Sequence, residues 1–89
     1  MERKLSTVVL IDEYPLFRKG MADVLTASGD FQVLGQTADE ATALSLVALG
    51  PDLVVMNLQQ EGFDTLRFLQ EVKTRQPQTR VVMMLTSPD

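Results

Sequence analysis

Four short apolar runs divide the sequence at regular intervals. Each run is nearly continuous and rich in Val, Leu, Ile or Met: Thr7–Ile11, Phe31–Gly35, Leu53–Met56 and Arg80–Leu85. They lack the strict alternation of polar and apolar residues that marks a strand with one face in water. Such runs are typical of strands buried on both faces, as in a parallel sheet.

The segments between these runs have helical periodicity. Three helices are predicted, at Leu16–Ala27, Ala38–Leu49 and Phe63–Arg75. Their expected buried faces are Phe17, Met21, Val24 and Leu25 in the first, Ala41, Leu44 and Ala48 in the second, and Leu66, Leu69 and Val72 in the third. Arg18 and Lys19 fall off this face and are interpreted as solvated. Alternating strands and helices predict an α/β fold whose parallel sheet carries helices on both faces.

Length, charge and residue types exclude several classes of function. The 89 residues fit one domain, and 8 basic against 12 acidic residues give a net charge of −4, which disfavours direct binding of nucleic acid. The absence of Cys and His removes disulfides, thiolate nucleophiles, most zinc sites and His-based triads. No nucleophile–base pair can be named, so we expect no enzyme. No apolar run approaches the ~20 residues of a membrane span, and we expect a cytoplasmic protein.

Polar residues follow three of the predicted strands. They are Asp12-Glu13, Asn57-Leu58-Gln59 and Thr86-Ser87. In open α/β sheets ligands bind beyond the carboxyl ends of the strands, and adjacent carboxylates favour a hard divalent cation. Simpler roles stay open, since Asp12 can cap the next helix while Glu13 is solvated, and Asn57 and Thr86 can be turn and strand residues.

Taken together, these segments resemble a bacterial response-regulator receiver domain of the NarL/FixJ type. The resemblance rests on Val8–Gly20, on Pro51–Leu58 with Gly62-Phe63-Asp64, and on Val81–Asp89. It implies a doubly wound, flavodoxin-like (CheY-like) receiver fold with strand order 2-1-3-4-5. It covers essentially the whole chain with its motifs in the right order.

The resemblance also implies roles for individual residues. Asp12 and Glu13 match the acidic pair that holds Mg²⁺, Gln59 matches a backbone carbonyl ligand of that metal, and Thr86 matches the switch hydroxyl. Asn57 stands where the family has the phosphoacceptor Asp. Because an amide does not form an acyl phosphate and one metal-site charge is lost, we expect no phosphorylation here and weak or vestigial Mg²⁺ binding. Asp64, expected in the third helix, is no obvious substitute.

Two explanations of Asn57 remain. The position is naturally degenerate, or Asn is an engineered replacement of Asp in a phospho-accepting switch. Gln60 and Glu61 also depart from the Met and Pro usual in this family, which favours natural degeneracy. The leading hypothesis is therefore a pseudo-receiver of a transcription regulator that acts through protein–protein interaction.

The length predicts further features. Residues 1–89 are expected to form a partial receiver that lacks the last strand and two helices of the family fold, and the effector DNA-binding domain is not in this chain. Strand Arg80–Leu85 would then be an unpaired apolar edge, which predicts a homo-oligomer. A sensor kinase or regulatory protein is a further expected partner. DNA is expected only through the absent C-terminal domain, and no membrane contact is expected.

Overall fold

Four parallel strands form one sheet. The computed structural model describes residues 4–57 and 62–85. The strands are β1 (Ser6–Ile11), β2 (Phe31–Thr37), β3 (Leu53–Asn57) and β4 (Arg80–Met84), and they lie in the order β2-β1-β3-β4. The predicted parallel α/β sheet is confirmed, and this order matches the first four strands of the receiver arrangement.

Within the described residues, three helices cover the two faces of the sheet. They are α1 (Pro15–Ala27), α2 (Glu40–Val47) and α3 (Thr65–Arg75). Side chains of β1 alternate between two apolar clusters: Val9 and Ile11 pack with α2 and α3, whereas Val8 and Leu10 pack with α1. The continuous apolar run of β1 is thus buried on both faces, as its sequence predicts.

The ends of the helices differ from the sequence prediction by one or two residues because of capping. Asp39 precedes α2 and accepts a hydrogen bond from Thr42 N at 2.8 Å, so this helix begins at Glu40 rather than Ala38. Asp64 caps α3 in the same way through Arg67 N at 3.0 Å, and the prediction that it lies within the helix is wrong. A carboxylate at the N-cap satisfies backbone N–H groups that the first turn leaves unpaired.

The predicted buried faces of the helices are partly wrong. The residues that reach the core are Ala22 of α1, Ala43 and Val47 of α2, and Phe68 and Val72 of α3. The other predicted face residues are partly or largely exposed, among them Val24 in α1, Ala41 in α2, Ala48 directly after α2, and Leu66 in α3. Ala43 and Val47 each precede a predicted face residue by one position, so the buried face of α2 is rotated by one residue from the prediction, and among the buried residues only Val72 was predicted.

Candidate functional site

The predicted polar strand ends of β1 and β3 meet at one edge of the sheet. β1 and β3 are neighbours, and Ile11 pairs with Met56 at the end of their register. Asp12 and Asn57 are the next positions along these two strands, and each is only 2% exposed. The structure therefore brings a carboxylate and an amide together in a buried position at the carboxyl edge.

Asp12 is held by hydrogen bonds that leave one carboxylate oxygen without a protein partner. Its Oδ1 accepts from Tyr14 N at 2.9 Å, and its own N donates to the Thr37 carbonyl at 3.0 Å. Its Oδ2 is buried and has no hydrogen-bond partner within the described ranges. Asp12 is not the cap of α1, because Tyr14 occupies the N-cap position without a side-chain cap and Pro15 opens the helix.

The described side chains at this edge include oxygen donors of the type that a hard divalent cation prefers. Glu13 follows Asp12 and is partly exposed, and the free Asp12 Oδ2 is an oxygen ligand of the type that Mg²⁺ prefers. No group of three or more acidic or other metal-ligating side chains occurs within residues 4–57 and 62–85. Asp12 and Glu13 are thus the residues that would hold a bound ion, with fewer charges than an all-carboxylate site.

Two of the predicted site residues, Gln59 and Thr86, lie outside the described residues. Asn57 ends β3 and pairs with Met84 of β4. The next described residue is Gly62, whose φ of +69° is a conformation that glycine adopts without strain. Asp64 follows with its carboxylate engaged as the α3 cap, and its not replacing the residue at position 57 stays a prediction.

Sequence reasoning missed two basic residues near the site. Arg18 is half-buried, and its Nη1 donates to the main-chain carbonyl of Asp12, so its prediction as a solvated side chain is wrong. Arg67 of α3 reaches Glu40 of α2, with Nη2 and Oε2 2.8 Å apart, and this hydrogen bond raises the pKa of Arg67. Glu40 also accepts from Asp64 N at 3.2 Å, which fastens the start of α3 to α2.

The sequence pattern does not indicate the contact of Arg18 with Asp12 or the contact of Arg67 with Glu40. Arg18 sits beside exposed Lys19 in a polar stretch of α1, and its fold-back onto Asp12 depends on where α1 crosses the end of β1. Glu40 and Arg67 are 27 residues apart and meet only because α2 and α3 lie on the same face of the sheet. Such contacts follow from the packing of elements and not from local spacing.

Comparison with known proteins gives the family. The family model described as the response regulator receiver domain matches residues 8–89. The chain belongs to this receiver family. The signal receiver domain of the response regulator NarL from Mycobacterium tuberculosis is a similar solved structure, with a TM-score of 0.84 and 31% identity over 97% of this chain and 70% of that one. The receiver fold expected from the sequence is therefore confirmed.

Two curated relatives of this receiver carry the name transcriptional regulatory protein. The NarL regulatory protein of Mycobacterium tuberculosis is 35% identical over 78 residues, or 86% of this chain, and the transcriptional regulatory protein LiaR of Bacillus subtilis is 33% identical over 81 residues, or 90% of it. The receiver spans only 36% of the NarL protein and 38% of LiaR. Among the described residues, no helix is both long and apolar enough to cross a bilayer.

Proposed function

We propose that this receiver serves a transcription regulator through protein–protein contact, without phosphorylation at position 57. The observation that carries the proposal is the buried Asn57 at the carboxyl end of β3, beside Asp12. The resemblance read from the sequence matches this position to the phosphoacceptor of the receiver family. The nitrogen of an amide is delocalised, so Asn57 lacks a nucleophilic oxygen that could displace a leaving group from phosphorus.

Weak metal binding is part of the same proposal. Asp12 and Glu13 would hold Mg²⁺, which when bound supplies positive charge at the carboxyl edge. Mg²⁺ requires near-octahedral oxygen ligation and gives up its water reluctantly, so two carboxylates and an amide favour low affinity. Tight, sub-micromolar binding in a calorimetric titration would contradict this part.

The second candidate is a phospho-accepting switch in which Asn57 replaces a native Asp. The intact acidic pair, with Asp12 Oδ2 buried and without a partner in the described part of the chain, favours this candidate. The two candidates differ at one codon. The native gene sequence at position 57 separates them, and no cofactor other than Mg²⁺ is needed by either.

A phosphodonor experiment tests the proposal directly. The chain is incubated with acetyl phosphate and Mg²⁺, and its intact mass is measured beside a phospho-accepting receiver that verifies the reagent. We expect no gain of a phosphoryl group by this chain and a gain by Asn57→Asp. A single acid-labile phosphorylation mapped to Asn57 or Asp64 would overturn the proposal.

We also infer that the receiver associates with a second copy through β4. Among the described strands β4 lies at an edge of the sheet, Val82 is 45% exposed, and Val81–Leu85 carries no charge that would discourage pairing. Light scattering should then give twice the chain mass of 9.9 kDa. In Val82→Lys the mass measured by light scattering should fall to that of the monomer. A mass of 9.9 kDa for the unmodified chain at micromolar concentration would refute the inference. A sensor kinase or a regulatory protein is the further partner we propose.

A further inference from the structure

Arg18 folds back over the end of β1 from the first turns of α1. Its Nη1 donates a hydrogen bond to the main-chain carbonyl of Asp12, six positions earlier in the chain. Its Nε is buried and makes no hydrogen bond within the described residues. A guanidinium N–H inside a protein almost always finds an acceptor, so this free donor requires an explanation.

A second unpaired polar atom belongs to the same pair of residues. Asp12 Oδ2 is buried without a hydrogen-bond partner in the described part of the chain, while Oδ1 is occupied by Tyr14 N. Arg18 makes no ion pair with a carboxylate among the described residues, so the two orphaned atoms do not satisfy each other directly. One orphan is a donor and the other is an acceptor.

Asp12 and Arg18 both line one small cavity between α1 and the carboxyl ends of β1, β3 and β4. The remaining walls are apolar and include Phe17, Met21 and Val55. The space open to the centre of a water molecule is about 10 Å³, which is close to the minimum that holds a single water. The two residues that carry the unpaired atoms thus both line a space near the lower size limit for one water.

We propose that a single internal water occupies this cavity, accepts a hydrogen bond from Arg18 Nε–H and donates one to Asp12 Oδ2. Arg18 then contacts Asp12 at two points. It binds the main-chain carbonyl of Asp12 directly, and it binds the Asp12 carboxylate through the water. It is a positioning residue for the acidic edge of the receiver. A metal ion in this cavity is disfavoured, because the guanidinium is cationic and most of the wall is apolar.

Arg18→Lys is the sharpest variant. Lysine places a methylene where arginine has Nε, so the substitution removes the donor to the cavity while it keeps the positive charge and the length of the stem. Lys19→Met is the matched control, because Lys19 is exposed on the same turn and pairs only with Asp23 at 3.8 Å among the described residues. The control removes a charge without touching the cavity.

Oxygen-17 magnetic relaxation dispersion counts water molecules with long residence times inside the folded chain. We expect one such water fewer in Arg18→Lys than in the unmodified chain, and an unchanged number in Lys19→Met. The ¹³C shift of the Asp12 carboxyl should move in Arg18→Lys and stay in place in the control. That signature reports positioning, which a loss of packing elsewhere in the helix would not produce.

Three results would overturn the proposal. The first is an equal number of long-lived waters in Arg18→Lys and the unmodified chain. The second is a complete absence of long-lived water from the unmodified chain, which is decisive even if the variant does not fold. A direct contact between Arg18 Nε and Asp12 Oδ2 in a high-resolution crystal structure would replace the water and would count equally against it.

Discussion

The substitution Asn57→Asp tests the electrostatics of the carboxyl edge. It places a second carboxylate at a position that is 2% exposed, next to Asp12, which is equally buried. The side-chain shape hardly changes, because Asn and Asp are nearly isosteric. Any effect on stability therefore reports the added charge and the loss of the amide donor, and not packing.

The magnitude follows from the geometry of the sheet. Neighbouring parallel strands lie about 4.8 Å apart, and two unit charges at that distance repel by about 3.5 kcal/mol at an effective dielectric constant of about 20. Uptake of a proton by one carboxylate relieves part of this repulsion, so we expect a net loss of about 2 kcal/mol without metal. For a domain of this size that loss lowers Tm by about 8–16 °C.

Thermal unfolding followed by circular dichroism measures the effect in EDTA and in millimolar Mg²⁺. The Asn57→Asp variant should melt well below the unmodified chain in EDTA and should recover most of the difference when Mg²⁺ is added. The unmodified chain should respond weakly to Mg²⁺. A divalent cation restores stability because it binds the folded state with its paired carboxylates and not the unfolded chain.

The double variant Asp12→Asn/Asn57→Asp is the matched control. It exchanges the amide and the carboxylate between the two strand ends, so it keeps the net charge and the total number of carboxylates. It should melt near the unmodified chain in EDTA and respond little to Mg²⁺. Equal melting of Asn57→Asp and the unmodified chain in EDTA would refute the reasoning, as would an equal Mg²⁺ response from the single and double variants.

Three further predictions concern the framework of the receiver. Gly20→Ala should stabilise the chain by about 0.5–1 kcal/mol, because Gly20 lies inside α1 with open space at its Cβ, whereas Gly29→Ala, at φ +80°, should cost about 1 kcal/mol; urea unfolding measures both. Hydrogen bonds from Thr7 lower the pKa of Asp52 below 3.8, so this carboxylate adds stability above that pH and loses it as the pH falls through its folded-state pKa. The midpoint of urea unfolding should accordingly fall less steeply for Asp52→Asn than for the unmodified chain as the pH is lowered from about 5 to about 3. Phe68→Ala should cost about 3–5 kcal/mol, since this ring is fully buried, and a change below about 1 kcal/mol in urea unfolding would contradict its place in the core.

The order and type of the elements could be predicted from the sequence because the strands are continuous apolar runs. The ends of two strands differ from the prediction, since β2 continues beyond the apolar run to Thr37 and β3 includes Asn57. Both residues are polar, yet both are buried at the carboxyl edge. In both strands the apolar residues therefore end before the strand itself ends, because the last residue is a buried polar one at the carboxyl edge.

The candidate site was predictable in part for a related reason. The carboxyl ends of parallel strands meet at one edge, so Asp12 and Asn57 could be brought together from the order of elements alone. Arg18 could not be assigned, because its sequence neighbours are those of a solvated helix face. Its role depends on the crossing of α1 over β1, and the sequence pattern carries no information about that angle.

The contacts that hold Asp12 explain why position 57 tolerates an amide. Asp12 is fixed by Tyr14 N through its carboxylate and by the Thr37 carbonyl through its backbone, and Arg18 binds its main-chain oxygen. These bonds do not involve residue 57. These contacts of Asp12 can therefore persist with Asn or Asp at position 57, whereas the charge and the hydrogen-bonding groups of residue 57 itself differ. Because the Asn57→Asp variant and its charge-exchanged control both carry Asp at position 57, the difference between them reports the repulsion between two carboxylates and not the loss of the amide.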